Sequence, residues 1–120
     1  MGQTRMPTIH EVTLVLSNGE EVVLRIDGES FILDEAAAVG IDLPFTCLQG
    51  WCITCAGRVI DGPPTCIDNR AALRYYPEDQ EAGFVLLCTA LVRQNCRIAT
   101  HQAQAMKRFR WQHSLPAPHG

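Results

Sequence analysis

Three cysteines, Cys47, Cys52 and Cys55, fall within nine residues, and a fourth, Cys88, follows an apolar run far downstream. No other feature of the chain limits its fold so tightly. Three thiols in one loop crowd their sulfurs together, and a fourth returned by a strand closes a four-sulfur site around a soft metal centre. The loop Cys47-Leu48-Gln49-Gly50-Trp51-Cys52-Ile53-Thr54-Cys55 therefore needs a scaffold in which the strand carrying Cys88 ends beside it. A closed four-cysteine zinc site would also satisfy the thiols. Zinc sites usually pair two short cysteine hairpins, whereas here three thiols share one loop and the fourth follows Phe84-Val85-Leu86-Leu87.

The rest of the chain sets outer bounds. At 120 residues it is the size of one domain, and the expectation is one domain without a second catalytic unit. A formal charge of −3 leaves no broad basic surface for a phosphate backbone, so nucleic acid is not an expected partner. Six cysteines would suit a secreted disulfide scaffold, but Met1-Gly2-Gln3-Thr4-Arg5-Met6-Pro7 lacks the apolar stretch of a secretory leader. No apolar run reaches a membrane-spanning length, and Met6 stands where a myristoylation signal needs a hydroxyl. The expectation is a soluble monomer without membrane insertion, in a reducing compartment: bacterial cytoplasm, or the plastid stroma for a mature plastid chain.

Val12, Leu14 and Leu16 alternate, Ser17-Asn18-Gly19-Glu20 supplies a turn, and Val22, Leu24 and Ile26 resume the alternation, which predicts a half-buried β-hairpin. Ile32, Leu33, Ala36 and Ala37 at helical spacing predict a short helix over Ser30 to Val39, stopped by Gly40. A brief strand is expected at Arg58-Val59-Ile60, ended by Asp61-Gly62-Pro63-Pro64. Thr65 to Gln80 reads as loop with one helical turn at Arg70 to Arg74. A buried strand over Phe84 to Leu87 delivers Cys88, and a last strand covers Cys96 to Thr100. The sum is an α+β domain with a mixed sheet and one crossing helix.

The C-x4-C-x2-C…C spacing resembles that of plant-type [2Fe-2S] ferredoxins. So do Ile41-Asp42-Leu43-Pro44-Phe45 before the loop, Cys55-Ala56-Gly57-Arg58 after it, Glu81-Ala82-Gly83-Phe84-Val85-Leu86-Leu87-Cys88, and Arg97-Ile98-Ala99-Thr100-His101. The resemblance runs from about Glu11 to His101. It implies a β-grasp fold with a cluster-binding loop and one [2Fe-2S] cluster ligated by Cys47, Cys52, Cys55 and Cys88. By position, Cys47 and Cys52 would hold the iron nearer the surface, and Cys55 and Cys88 the inner one. The implied activity is one-electron transfer between redox proteins, with no substrate chemistry. Residues 8–106 would form the ferredoxin domain and 107–120 a basic, aromatic C-terminal extension.

The chain also departs from the family. The family docks an NADP reductase through an aromatic and acidic residues near the C-terminus; the aromatic is retained as Tyr75, beside Tyr76, whereas Ala103, Gln104 and Ala105 stand at the acidic positions. Leu48, Trp51 and Ile53 replace the usual loop residues, and the interval from Cys55 to Cys88 is lengthened around Pro63 to Asn69. These changes resemble a divergent subgroup with an extended C-terminus. They imply a carrier for a specialised partner rather than bulk transfer to NADP reductase. Two alternatives stand beside it: a redox-sensing regulatory protein, and the electron-donor subunit of a multicomponent oxygenase. Tyr75 and Trp111 are the candidate partner contacts. In the tail, Ala103, Met106, Phe109 and His113 form an apolar helical stripe that would either pack back on the domain or dock a partner. Cys96 is expected as a small buried hydrophobe, Cys66 as an exposed thiol of the Pro-rich loop, and His101 as a structural residue.

Overall fold

Apolar side chains at every second position force the first two strands to share one buried face. The computed structural model of the chain describes residues 9–44, 53–72 and 75–115. In it, β1 (Ile9–Val15) and β2 (Glu21–Asp27) pair antiparallel, with Val12 opposite Leu24. Val12, Leu14, Leu24 and Ile26 enter the core while Val23 and Arg25 face solvent. The turn closes through the Gly19 N–H to the Leu16 carbonyl at 2.9 Å, with Gly19 at φ 90°.

The helix α1 (Ile32–Ala38) buries Ile32, Leu33 and Ala36. Ala37, expected inward, is exposed, because a turn of 3.6 residues carries it past the buried stripe. Gly40, at φ 84°, ends the helix, and the Ile41 N–H reaches back to the Ala36 carbonyl at 2.9 Å.

The remaining elements follow as β3 (Ala56–Asp61), β4 (Ile67–Asp68), α2 (Pro77–Glu81), β5 (Phe84–Leu86), β6 (Leu91–Val92), β7 (Cys96–Ala99) and α3 (Ala103–Gln112). The main sheet runs β2-β1-β7-β3-β5, and β4 and β6 form a separate ribbon. β1 and β7 are parallel and the other neighbours antiparallel, giving the expected mixed sheet. Gly57 lets β3 lie close on β7: a methyl there would stand 2.9 Å from Ile98 Cγ2 and 3.1 Å from the Ala99 carbonyl oxygen. Among the described residues no helix is long and apolar enough to cross a membrane.

The long loop is more ordered than its composition suggests. A 3-10 turn at Pro64–Cys66 precedes β4, and the Ala72 N–H closes a turn on the Asn69 carbonyl at 2.9 Å. Of the turn expected at Arg70 to Arg74, Leu73 and Arg74 lie outside the described residues. The helix instead begins at Pro77, with the Asp79 carboxylate accepting the Tyr76 N–H at 3.0 Å.

α3 runs unbroken through Met106 and Lys107. Met106 is buried, and the Phe109 ring packs on Phe84 at 5.3 Å between centroids. The stripe then departs from the expected pattern: His113 is exposed, whereas Arg110 is fully buried. Its guanidinium meets the equally buried Asp79 carboxylate at 2.8 Å and lies over the Tyr76 ring at 5.0 Å. Truncating either partner strands the other charge in the core. Asp79→Leu or Arg110→Leu should each cost about 3–5 kcal/mol, while the double replacement comes far closer to neutral. Denaturant unfolding of the three variants in a double-mutant cycle checks this. Additive losses would mean that the two groups act independently.

Candidate metal centre

The antiparallel ladder of β3 and β5 brings two of the four cysteines together. Ala56 faces Leu86 and Gly57 faces Val85. One step beyond, the Leu87 N–H donates to the Cys55 carbonyl at 3.2 Å, so Cys55 lies across from the residue preceding Cys88. A 3-10 turn at Leu87–Thr89 then swings Cys88 out of the strand. Cys55 and Cys88 are 2% and 4% exposed, and neither forms a disulfide. Two buried soft donors from separate segments, converging at one end of the sheet, fit a thiolate-bound metal centre. Cys47 and Cys52, with Leu48, Gly50 and Trp51, lie outside the described residues. Ile53, at the exit of the loop, is 2% exposed, and its carbonyl accepts the Ala56 N–H at 3.0 Å.

β5 is an edge strand, and its outer hydrogen-bonding groups need partners. Asn69 supplies them. Its Oδ1 accepts the Leu86 N–H at 3.0 Å, and its Nδ2 donates to the Leu86 carbonyl at 2.9 Å and to Thr89 Oγ1 at 3.2 Å. This buried side chain clamps both sides of Cys88. The sequence carried no signal for it beyond one Asn in a loop. Its neighbour Asp68 is held down at about 2 by hydrogen bonds from Arg70, with Arg93 adding at 3.1 Å. Arg93 also donates to the Gly28 carbonyl at 2.8 Å, tying the loop to the segment before α1.

The candidate partner contacts separate. The Tyr75 ring is half-buried, its hydroxyl donates to the Phe84 carbonyl, and burial pushes the phenol pKa up. It borders a hollow of about 420 Å³ shared with Ile67, Asp68, Tyr76 and Arg93. Trp111 is 78% exposed on α3, where it lines a different hollow of about 250 Å³ with Gln104, Lys107 and Arg108. His101 is exposed, and its Nδ1 pairs with the Thr100 hydroxyl at 2.7 Å. Cys66 corrects the expectation of an exposed thiol: it is fully buried, because its carbonyl takes the Arg93 N–H at 2.7 Å and folds the turn inward. Cys96 is buried as expected.

If Asn69 holds the Cys88 turn, Asn69→Ala should destabilise the protein by about 1–3 kcal/mol for each Leu86 group left without a partner. It should also speed loss of visible absorbance when the protein meets an iron chelator. Asn69→Asp keeps an acceptor for the Leu86 N–H but loses both donors, and should fall short of wild type. Unchanged bleaching rates in both variants would remove Asn69 from the support of the site.

Comparison with known proteins agrees with this geometry. The model of the 2Fe-2S iron-sulfur cluster binding domain matches residues 15–93. Ferredoxin-2 of Synechococcus is 38% identical over 73% of this chain and 81% of its own length. The heterocyst ferredoxin of Nostoc is 40% identical over 68% and 80%. The crystal structure of pectocin M2 superposes with a TM-score of 0.68 at 26% identity, over 81% of this chain and 34% of that one. The chain belongs to the 2Fe-2S iron-sulfur cluster binding domain family, as a plant-type ferredoxin of β-grasp fold that carries electrons on one [2Fe-2S] cluster rather than converting a substrate.

Proposed function

We propose that Cys47, Cys52, Cys55 and Cys88 hold the cluster, and that the chain passes single electrons to a dedicated protein partner that docks an acidic surface on the outer face of α3. The cluster, when bound, takes up and releases one electron. The setting we assign is a monomer in a reducing compartment, bacterial cytoplasm or plastid stroma, where cysteines remain thiols and thiolates.

The observation that carries the docking reading is the way α3 is held. At its base the Gln102 N–H donates to the carbonyl of Ala56, the residue after Cys55, at 2.9 Å. Farther along, Arg110 and Phe109 fasten the inner face to Asp79 and Phe84. The outer face is thereby fixed, and it presents Lys107, Arg108 and the exposed Trp111. No acidic residue stands in the first turn of the helix. A rise of about 1.5 Å per residue puts Trp111 about 14 Å from Gln102. A partner seated on this face would lie close to the end of β3 that carries Cys55. A large, rigid aromatic beside two cations is a common anchor composition in interfaces. The positive charges would steer an acidic partner and slow a basic one.

Two sets of variants test the reading. Serine at Cys47, Cys52, Cys55 or Cys88 should abolish the visible spectrum, and serine at Cys66 should keep it; a reversed pattern for Cys88 and Cys66 would reassign the fourth ligand. In stopped-flow at low salt, the wild type should reduce ferredoxin–NADP reductase more slowly than an acidic ferredoxin does. The double variant Lys107→Glu/Arg108→Glu should recover part of the rate, and added salt should shrink the difference. A wild type as fast as the acidic ferredoxin, indifferent to charge reversal, would count against the docking face.

A further inference from the structure

Cys66 and Cys96 lie outside the ligand set, yet the fold brings them together. Cys66 ends the 3-10 turn after Gly62 and Pro63, and Cys96 opens β7. Two bonds tie their backbones through the chain before Cys96: the Cys66 carbonyl accepts the N–H groups of Arg93 at 2.7 Å and Gln94 at 3.4 Å. Both side chains converge above Gly62, where a methyl group would lie 3.2 Å from Cys96 Cβ and 3.6 Å from Cys66 Sγ. Gly62, at φ 130°, leaves that space to the two sulfurs. The two thiols lie near enough for each to shift the other's pKa, and neither forms a disulfide.

We infer that Cys66 and Cys96 form a two-electron thiol–disulfide pair, separate from the cluster, that is oxidised by small peroxides. The two sulfurs are not equivalent. The neighbouring Cys96 thiol lowers the Cys66 pKa, whereas the Cys66 thiol, together with burial, pushes Cys96 up. Of the two, Cys66 is the thiol that ionises more readily, and so the one assigned as nucleophile. It attacks one oxygen of hydrogen peroxide, the O–O bond breaks, and the sulfur becomes a sulfenic acid as hydroxide leaves. Cys96 sulfur then displaces the hydroxyl from Cys66 sulfur and gives up its proton. Two thiols and one peroxide yield one disulfide and two waters. Full burial of Cys66 and near-full burial of Cys96 favour an oxidant of this size over glutathione disulfide or a protein thiol. The product ties the lengthened loop covalently to β7, at the β3–β7 side of the sheet.

The test uses the holoprotein, titrated with hydrogen peroxide while the visible spectrum is followed, then alkylated and mapped by non-reducing peptide mass spectrometry. A linked Cys66–Cys96 peptide, roughly 2 Da lighter than its two thiol forms and restored by dithiothreitol, is expected at doses that leave the cluster absorbance in place. Cys96→Ala should trap a dimedone-reactive sulfenic acid on Cys66, and Cys66→Ala should leave Cys96 unlabelled. Bleaching of the cluster before any link forms would overturn the proposal, as would dimedone labelling of Cys96 in place of Cys66. If the cysteine variants fail to fold, mapping of the wild type alone decides. Loss of the visible spectrum in Cys66→Ala under anaerobic isolation would instead indict the ligand assignment, which this inference does not use.

Discussion

One hydrogen bond, from the Leu87 N–H to the Cys55 carbonyl, marks the constraint on which the rest of the structure depends. It extends the β3–β5 ladder by a step and fixes the register that sets two cysteines from distant parts of the chain side by side. A slip of one residue would turn Val85 and its neighbours to the opposite face and carry Cys88 away from Cys55. The scaffold guards against that slip from both sides. Behind β3, Gly57 permits contact with β7 that any side chain would block. Outside β5, Asn69 takes the place of a missing strand and pins Leu86 by both backbone groups.

α3 adds a second layer to the same end of the sheet. Read by composition it is a basic tail, but its inner face carries a buried ion pair, and only that pairing makes a fully buried guanidinium tolerable. Asp79 also accepts the Tyr76 N–H at the start of α2, so one carboxylate joins α2 to α3. The consequence is positional: with Arg110 turned inward, Lys107, Arg108 and Trp111 are displayed on a helix that is braced rather than trailing.

What the sequence disclosed was local. The hairpin follows from alternation at Val12, Leu14, Leu24 and Ile26, α1 from its stripe and Gly40, and the buried run Phe84 to Leu87 from its lack of any polar residue. The thiol spacing is legible because ligand chemistry leaves little freedom over short intervals. Apart from the helix phase at Ala37 and His113, the missed features are partnerships across the chain. Nothing local distinguishes Arg110 from Arg108; burial was decided by Asp79, 31 residues away. Cys66 read as exposed because its loop is polar and Pro-rich, and its burial comes from bonds to Arg93 and Gln94. Asn69 is invisible in the same way, since an amide announces neither its partner nor its burial.

The central claim is that the convergence of Cys55 and Cys88 serves a one-electron iron-sulfur centre. Its most direct measurement is iron, acid-labile sulfide and zinc on protein isolated without air, followed by spin quantification after reduction with dithionite. A [2Fe-2S] centre at these cysteines requires two irons and two sulfides per chain, with one unpaired electron per cluster in the reduced protein. A colourless protein holding one zinc, with no sulfide and no spin, would contradict it.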